Sequence, residues 1–134
     1  MAKIKDLNKL LKSIDPRLIK GEYVFCTLSK NKYSKLNLNP LMFFNEKEGI
    51  TLILKKDLAD KNDLFYEKVW RLITLNVHSD LSAVGFLAEI TKKLASSNIS
   101  VNAVSAYYHD HIFVPSEKSK EALKLLRHLS YSSN

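Results

Sequence analysis

Apolar positions along this chain recur in two rhythms, and the order in which the rhythms alternate organises the whole sequence. Steps of three and four put Ile4, Leu7, Leu11 and Ile14 on one stripe, so residues 4 to 14 read as a helix. Asp15-Pro16 ends it, because the residue before proline is pushed out of the helical region. Residues 22–28, EYVFCTL, are rich in β-branched and aromatic side chains and read as a strand. The stretch 29–39 is polar, rich in Lys and Asn, and reads as a loop. Apolar runs at 41–45 and 50–54 flank Glu46-Lys47-Glu48-Gly49, which is a hairpin signal. Residues 56–62 suit a short helix.

The second half follows a similar scheme. Residues 69–78 form a long strand, with Ile73, Leu75 and Val77 on one face and Leu72, Thr74, Asn76 and His78 on the other. A helix over about 83–97 buries Ala83, Leu87, Ile90 and Leu94. Strands at 101–108 and 112–114 meet at a tight turn, His109-Asp110-His111. Pro115-Ser116 opens a last helix with Ser116 as its N-cap and Ala122, Leu125, Leu126 and Leu129 as its stripe. The tail from Ser130 to Asn134 is expected to fray. The order is β-α-β-β-α, preceded by a similar unit whose first helix has become a loop. It predicts an α+β fold, a ferredoxin-like sandwich of antiparallel sheet with helices on one face. The units divide as 1–68 and 69–134, with the strand 69–78 shared.

Candidate chemistry gathers at 75–94, LNVHSDLSAVGFLAEITKKL. A strand ends, a polar turn His78-Ser79-Asp80 follows, and a glycine-bearing helix begins. Such a sequence brings unpaired backbone N–H groups to one spot, where the helix dipole adds positive potential and attracts carboxylates or phosphates. Gly85 lowers helix stability, so its missing side chain reads as room for close approach. A zwitterionic ligand needs donors for its carboxylate and acceptors for its ammonium. The amides of Val84, Gly85 and Phe86 suit the first need; Asp80, or Asn102 if strand 101–108 lies beside 72–78, suits the second. His78 and Ser79 stand at the mouth of the niche. Helix capping is the competing explanation for Asp80 and Ser82.

Composition and charge then narrow the classes. With 134 residues, the chain suits one compact domain or two small halves. No apolar run approaches the length of a membrane span, and the N-terminal segment lacks the apolar core of a secretory signal. Cys26 is the one cysteine, which excludes an internal disulfide and suits the reducing cytoplasm. The net charge of +7 comes mostly from dispersed lysines, with arginine only at positions 17, 71 and 127. Nucleic-acid readers concentrate charge and use arginine forks, so nucleic acid is not the expected partner. His109 and His111 with Asp110 raise a metal hypothesis, but no third strong ligand stands at a convincing spacing, and no metal or other cofactor is expected. Nucleophile elbows, phosphate-cradling glycine loops and zinc-helix motifs are absent, so the chain reads as a non-enzyme.

Several segments are also familiar as words. GEYVFCTL at 21–28, ITLNVHS at 73–79, VGFLAEI at 84–90 and YYHDHIFVP at 107–115 resemble a family of small bacterial proteins built from tandem ACT domains. The resemblance spans about Leu7 to Leu129. It implies a regulatory ligand-binding fold in which the first strand-to-helix turn holds a free amino acid, often across a dimer or tandem interface. The commonest ACT turn carries Asp, a spacer, Pro and Gly; here Asp80 and Gly85 are five positions apart and proline is absent. The expected function is a non-enzymatic sensor that binds a small amino acid or related carboxylate and forms a homodimer. The rivals are an RNA-binding αβ module and a small metal-dependent enzyme using His78, His109 and His111.

Overall fold

The computed structural model describes residues 3–132. Helix α1 (Leu7–Lys12) starts where the Asp6 carboxylate accepts the Lys9 amide at 3.0 Å, which satisfies one of the donors a helix leaves open. Asp15, at φ +44°, turns the chain into β1 (Pro16–Leu18). Then come β2 (Tyr23–Leu28), α2 (Lys30–Lys35), β3 (Met42–Asn45), β4 (Ile50–Lys55) and α3 (Lys56–Lys61). The chain continues with β5 (Trp70–Leu75), α4 (Phe86–Ala95), β6 (Asn102–Ser105), β7 (Asp110–Pro115), a 3-10 turn and α5 (Ser119–Ser132).

Two compact units result. One joins the residues up to Lys20 with those from Arg71 onward; the other is Gly21–Trp70. In the first, the strands stand in the order β1-β5-β7-β6. Antiparallel registers pair Pro16 with Leu75 and Ser105 with Asp110. Alternation along β5 and β7 sends Ile73, Leu75, Ile112 and Val114 to one face. There they pack with Leu10 and Ile14, with Ile90 and Leu94 of α4, and with Ala122 and Leu126 of α5. Burying each large aliphatic side chain in that layer contributes about 1.5–3 kcal/mol.

In Gly21–Trp70 the strands run β3-β4-β2. Val24, Cys26 and Leu28 meet Ile50, Leu52 and Leu54 on one face, which Leu38, Ala59 and Leu64 close. Burial pushes the Cys26 thiol above its ordinary pKa, so it behaves as a small apolar side chain.

Several expectations need correcting. The stretch 29–39 is not all loop: Ser29 Oγ accepts the Lys32 amide at 3.1 Å and starts α2. That helix buries none of its residues, so no apolar stripe announced it. The N-terminal helix is shorter than 4–14, and Ile4 instead forms a parallel bridge with Ser79. β1 begins at Pro16 itself, at a place where the sequence signalled only a break. Strand 69–78 shortens to β5, helix 83–97 to α4, and strand 101–108 to β6. The hairpin tip is Ala106–His109, closed by the Ala106 amide donating to the His109 carbonyl at 3.0 Å, so Asp110 and His111 belong to β7. β7 also separates β6 from β5, where direct adjacency was expected. Ser116 does not cap the last helix; it opens the 3-10 turn Ser116–Lys118. α5 continues through Ser132 where fraying was expected, and residues 133–134 of that tail lie outside the described residues.

Candidate ligand-binding site

Between Leu75 and Phe86 the chain changes direction twice, and the polar residues of this segment determine how. The Ile4 amide donates to the His78 carbonyl at 2.9 Å, and the Asp80 amide donates back to the Ile4 carbonyl at 3.0 Å. The N-terminal segment therefore pins the turn. Asp80 Oδ1 accepts from both the Ser82 amide and the Ser82 hydroxyl, while its carbonyl accepts the Ala83 amide. Those Ser82 hydrogen bonds hold the Asp80 carboxyl below the usual carboxylate range, with Lys5 and Lys3 adding to the effect. Asp80 and Ser82 thus cap their own turn and not α4.

Gly85 is the residue before the helix, at φ +91°. A side-chain carbon built there would find only the Leu7 Cδ2 methyl, at an ordinary 3.7 Å. The need for glycine is therefore conformational: a left-handed backbone, not crowding by the protein. A glycine cap has a consequence. It offers no side-chain acceptor, and the first helical bond runs from the Glu89 amide to the Gly85 carbonyl at 3.1 Å. The amides of Phe86, Leu87 and Ala88 are left without an acceptor among the described residues.

Those residues border a cavity of about 150 Å³. At about 30 Å³ of liquid volume per water, that is room for on the order of five waters or one small solute. Ser79, Asp80, Gly85 and Phe86 line it on the turn and helix side; Ser105 of β6 and Asp110 of β7 complete it. Asp110 is buried, and its carboxylate accepts from the Ser79 hydroxyl at 3.0 Å. A buried carboxylate met by a neutral hydroxyl has strong use for a cation, because removing charge from water is costly unless it is paired. The cavity therefore offers open N–H donors and the Asp80 carboxylate on the turn and helix side, and the buried Asp110 carboxylate on the strand side.

Four of the seven residues expected at the site line the cavity, namely Ser79, Asp80, Gly85 and Phe86. Val84 is 84% exposed and does not. His78 is buried behind the turn, its ring 5.8 Å from Tyr108 and 6.2 Å from His109 between centroids. Asn102 is exposed on the outer strand β6. The sequence reading did not assign Ser105 or Asp110 to the site. Ending the hairpin one turn earlier would have found Asp110, since alternation with Ile112 and Val114 then puts it on the helix side.

The histidines sit on the other side of β7. His111 Nδ1 lies 2.9 Å from Thr74 Oγ1, and His109 Nδ1 lies 3.3 Å from the Val77 carbonyl. Burial lowers the His111 pKa, His109 lowers it further and Asp110 opposes the shift. Among the described residues no three His, Cys, Asp or Glu side chains converge as a metal site.

An antiparallel sheet with helices on one of its faces, and an uncapped helix start beside a small cavity, define an α+β module of ferredoxin-like type. The chain belongs to the ACT-domain family: ACT-domain models match residues 2–71 and 66–128. A Vibrio cholerae structure described as a protein of unknown function, possible transport protein, is 43% identical, with a TM-score of 0.83 over 96% of this chain and 99% of that one. An Agrobacterium tumefaciens protein is 15% identical, with a TM-score of 0.67 over 86% of this chain and 87% of its own. The regulatory subunit of aspartate kinase from Thermus thermophilus, in its ligand-free form, is 11% identical, with a TM-score of 0.62 over 85% and 96% of the two chains. These last two show a common fold. Among curated proteins none matches. Among the described residues no helix is long and apolar enough to cross a membrane.

Proposed function

We propose that this chain is a non-enzymatic regulatory module that binds a small free amino acid, or a related small carboxylate, at the turn 78–86. The observation that carries the reading is the pairing of opposite needs across one cavity. Open amides of Phe86, Leu87 and Ala88 suit a carboxylate, and buried Asp110, with Asp80 near it, suits an ammonium. The cavity volume favours a compact ligand such as glycine, alanine or serine over a bulky one. His78 supports the turn from behind, the Ser79 hydroxyl holds the Asp110 carboxylate within the cavity lining, and Val84 and Asn102 lie outside the cavity.

In this reading the halves 1–68 and 69–134 act as tandem ACT units, a division the two family matches support. A homodimer that covers an exposed sheet edge, β6 or β3, completes it. Binding that favours one arrangement of two copies by roughly 1–3 kcal/mol is enough for regulation. The free thiol of Cys26 suits a cytoplasmic setting.

A thermal-shift panel of the twenty amino acids and common keto acids tests the reading. A ligand at a hundred times its Kd adds about 2.7 kcal/mol of stability. A response to one or a few small amino acids is expected. No response to any of them, with the protein folded, rejects the function.

A further inference from the structure

The unit Gly21–Trp70 has a second concavity, on the sheet face opposite its own core. Along β2, Val24, Cys26 and Leu28 point into that core, so Phe25 points the other way. Phe25 meets Trp70 edge-to-face, with ring centroids 5.8 Å apart and planes at 66°, and the pair forms one wall. Phe65 and Tyr66, from the segment after α3, also line the concavity. The cleft measures about 400 Å³, inside the range of small-molecule sites, which begins at roughly 300 Å³.

Phe65 is the informative residue. It is 80% exposed, although its neighbours on both sides are anchored: Leu64 is buried in the core, and the Tyr66 hydroxyl donates to Asp60 Oδ1 at 2.6 Å. Asp60 is itself fixed by Lys56 Nζ at 2.7 Å. The chain thus holds a large apolar ring in water between two fixed points, where a tail would simply leave it loose. Exposed aromatic surface beside a concavity is a mark of ligand contact. The charged side chains bordering the cleft, among the described residues, are Glu67 and Lys68, one of each sign.

We infer that this cleft is a second ligand site, for a planar aromatic zwitterion such as a free aromatic amino acid. The ring would stack between Phe65 and the Phe25–Trp70 wall, with Lys68 facing the carboxylate and Glu67 the ammonium. The inference stands apart from the cavity at α4: the two sites share no residue and differ in volume by more than a factor of two.

Trp70 is the one tryptophan of the chain, which makes the cleft self-reporting. The test is a fluorescence titration of the full chain, excited where tryptophan alone absorbs, with L-phenylalanine, phenylacetate, phenethylamine and glycine. L-Phenylalanine is expected to change Trp70 emission saturably. Phenylacetate and phenethylamine, each lacking one charge, bind more weakly, and glycine produces no change. Phe65→Ala, at a solvent-exposed position, is expected to weaken L-phenylalanine binding about tenfold. Gly85→Ala is expected to leave it unaltered. Loss of binding in Lys68→Glu with recovery in Lys68→Arg supports the charge assignment. The absence of any saturable change with L-phenylalanine overturns the site, and equal affinity for phenylacetate overturns the zwitterion.

Discussion

Replacing Gly85 by alanine separates backbone conformation from space at the proposed amino-acid site. The methyl group meets only Leu7 Cδ2 at 3.7 Å, so no clash is expected. What changes is the backbone: at φ +91° a residue with a Cβ is strained, by roughly 1–2 kcal/mol in the left-handed region. For a protein of this length that lowers Tm by several degrees. Gly21 provides the control. Its φ is +105° and a Cβ there meets nothing within 4 Å, so Gly21→Ala carries a similar backbone strain far from α4 in sequence. Both variants should unfold at similar, slightly reduced temperatures in a thermal melt. They should differ once the best ligand of the amino-acid panel is added. Gly21→Ala keeps the stabilisation, whereas Gly85→Ala loses most of it, because relaxing Gly85 toward negative φ re-aims the amides of Phe86 to Ala88. A Gly85→Ala protein that melts like the wild type, or that keeps the full ligand response, refutes this account of the turn.

Other substitutions probe the remaining parts. Asp110→Asn keeps an acceptor for the Ser79 hydroxyl but removes the buried charge; the protein should stay folded while affinity for an amino acid falls about tenfold or more, measured by calorimetry. His111 has a folded pKa lowered by burial, so its contribution to stability is present above the unfolded value near 6.5 and is lost as pH falls below it. Denaturant midpoints measured between roughly pH 7 and pH 5 should decline, and His111→Gln, which can still reach Thr74, should flatten that decline. Ile90→Ala removes a fully buried side chain from the layer between α4 and the sheet and should cost about 2–5 kcal/mol in equilibrium unfolding.

How much of this was readable in the chain depended on whether a residue's neighbours in sequence were also its neighbours in space. The stripe Ala122, Leu125, Leu126, Leu129 and the alternation at Ile73 and Leu75 reflect burial against a large layer, so α5 and β5 could be read directly. Helix α2 could not, because a Ser29 cap and the single half-buried ring of Tyr33 hold it, with no repeating apolar stripe. β1 is three residues long, and it is a strand only because Leu75 and Ile73 lie across from it. At the candidate site, Gly85 stands out as a costly residue in a helical context, and the break between strand and helix is legible from the polar run before it. The far side of the cavity is not legible in the same way. Asp110 reaches the cavity because β7 begins directly after the hairpin tip, so alternation with Ile112 and Val114 carries it to their face, whereas a turn at 109–111 leaves it in the loop. The reason for the glycine also differed, since φ +91° and not crowding explains it.

Amide spectra of the isotope-labelled protein during titration with the best small amino acid of the panel address the central claim most directly. The account predicts saturable shifts, with one common Kd, at the backbone N–H signals of Phe86, Leu87 and Ala88. Smaller shifts should appear at Ser105 and Asp110 across the cavity. Unmoved signals at these positions, while the ligand binds and perturbs amides elsewhere, would contradict it.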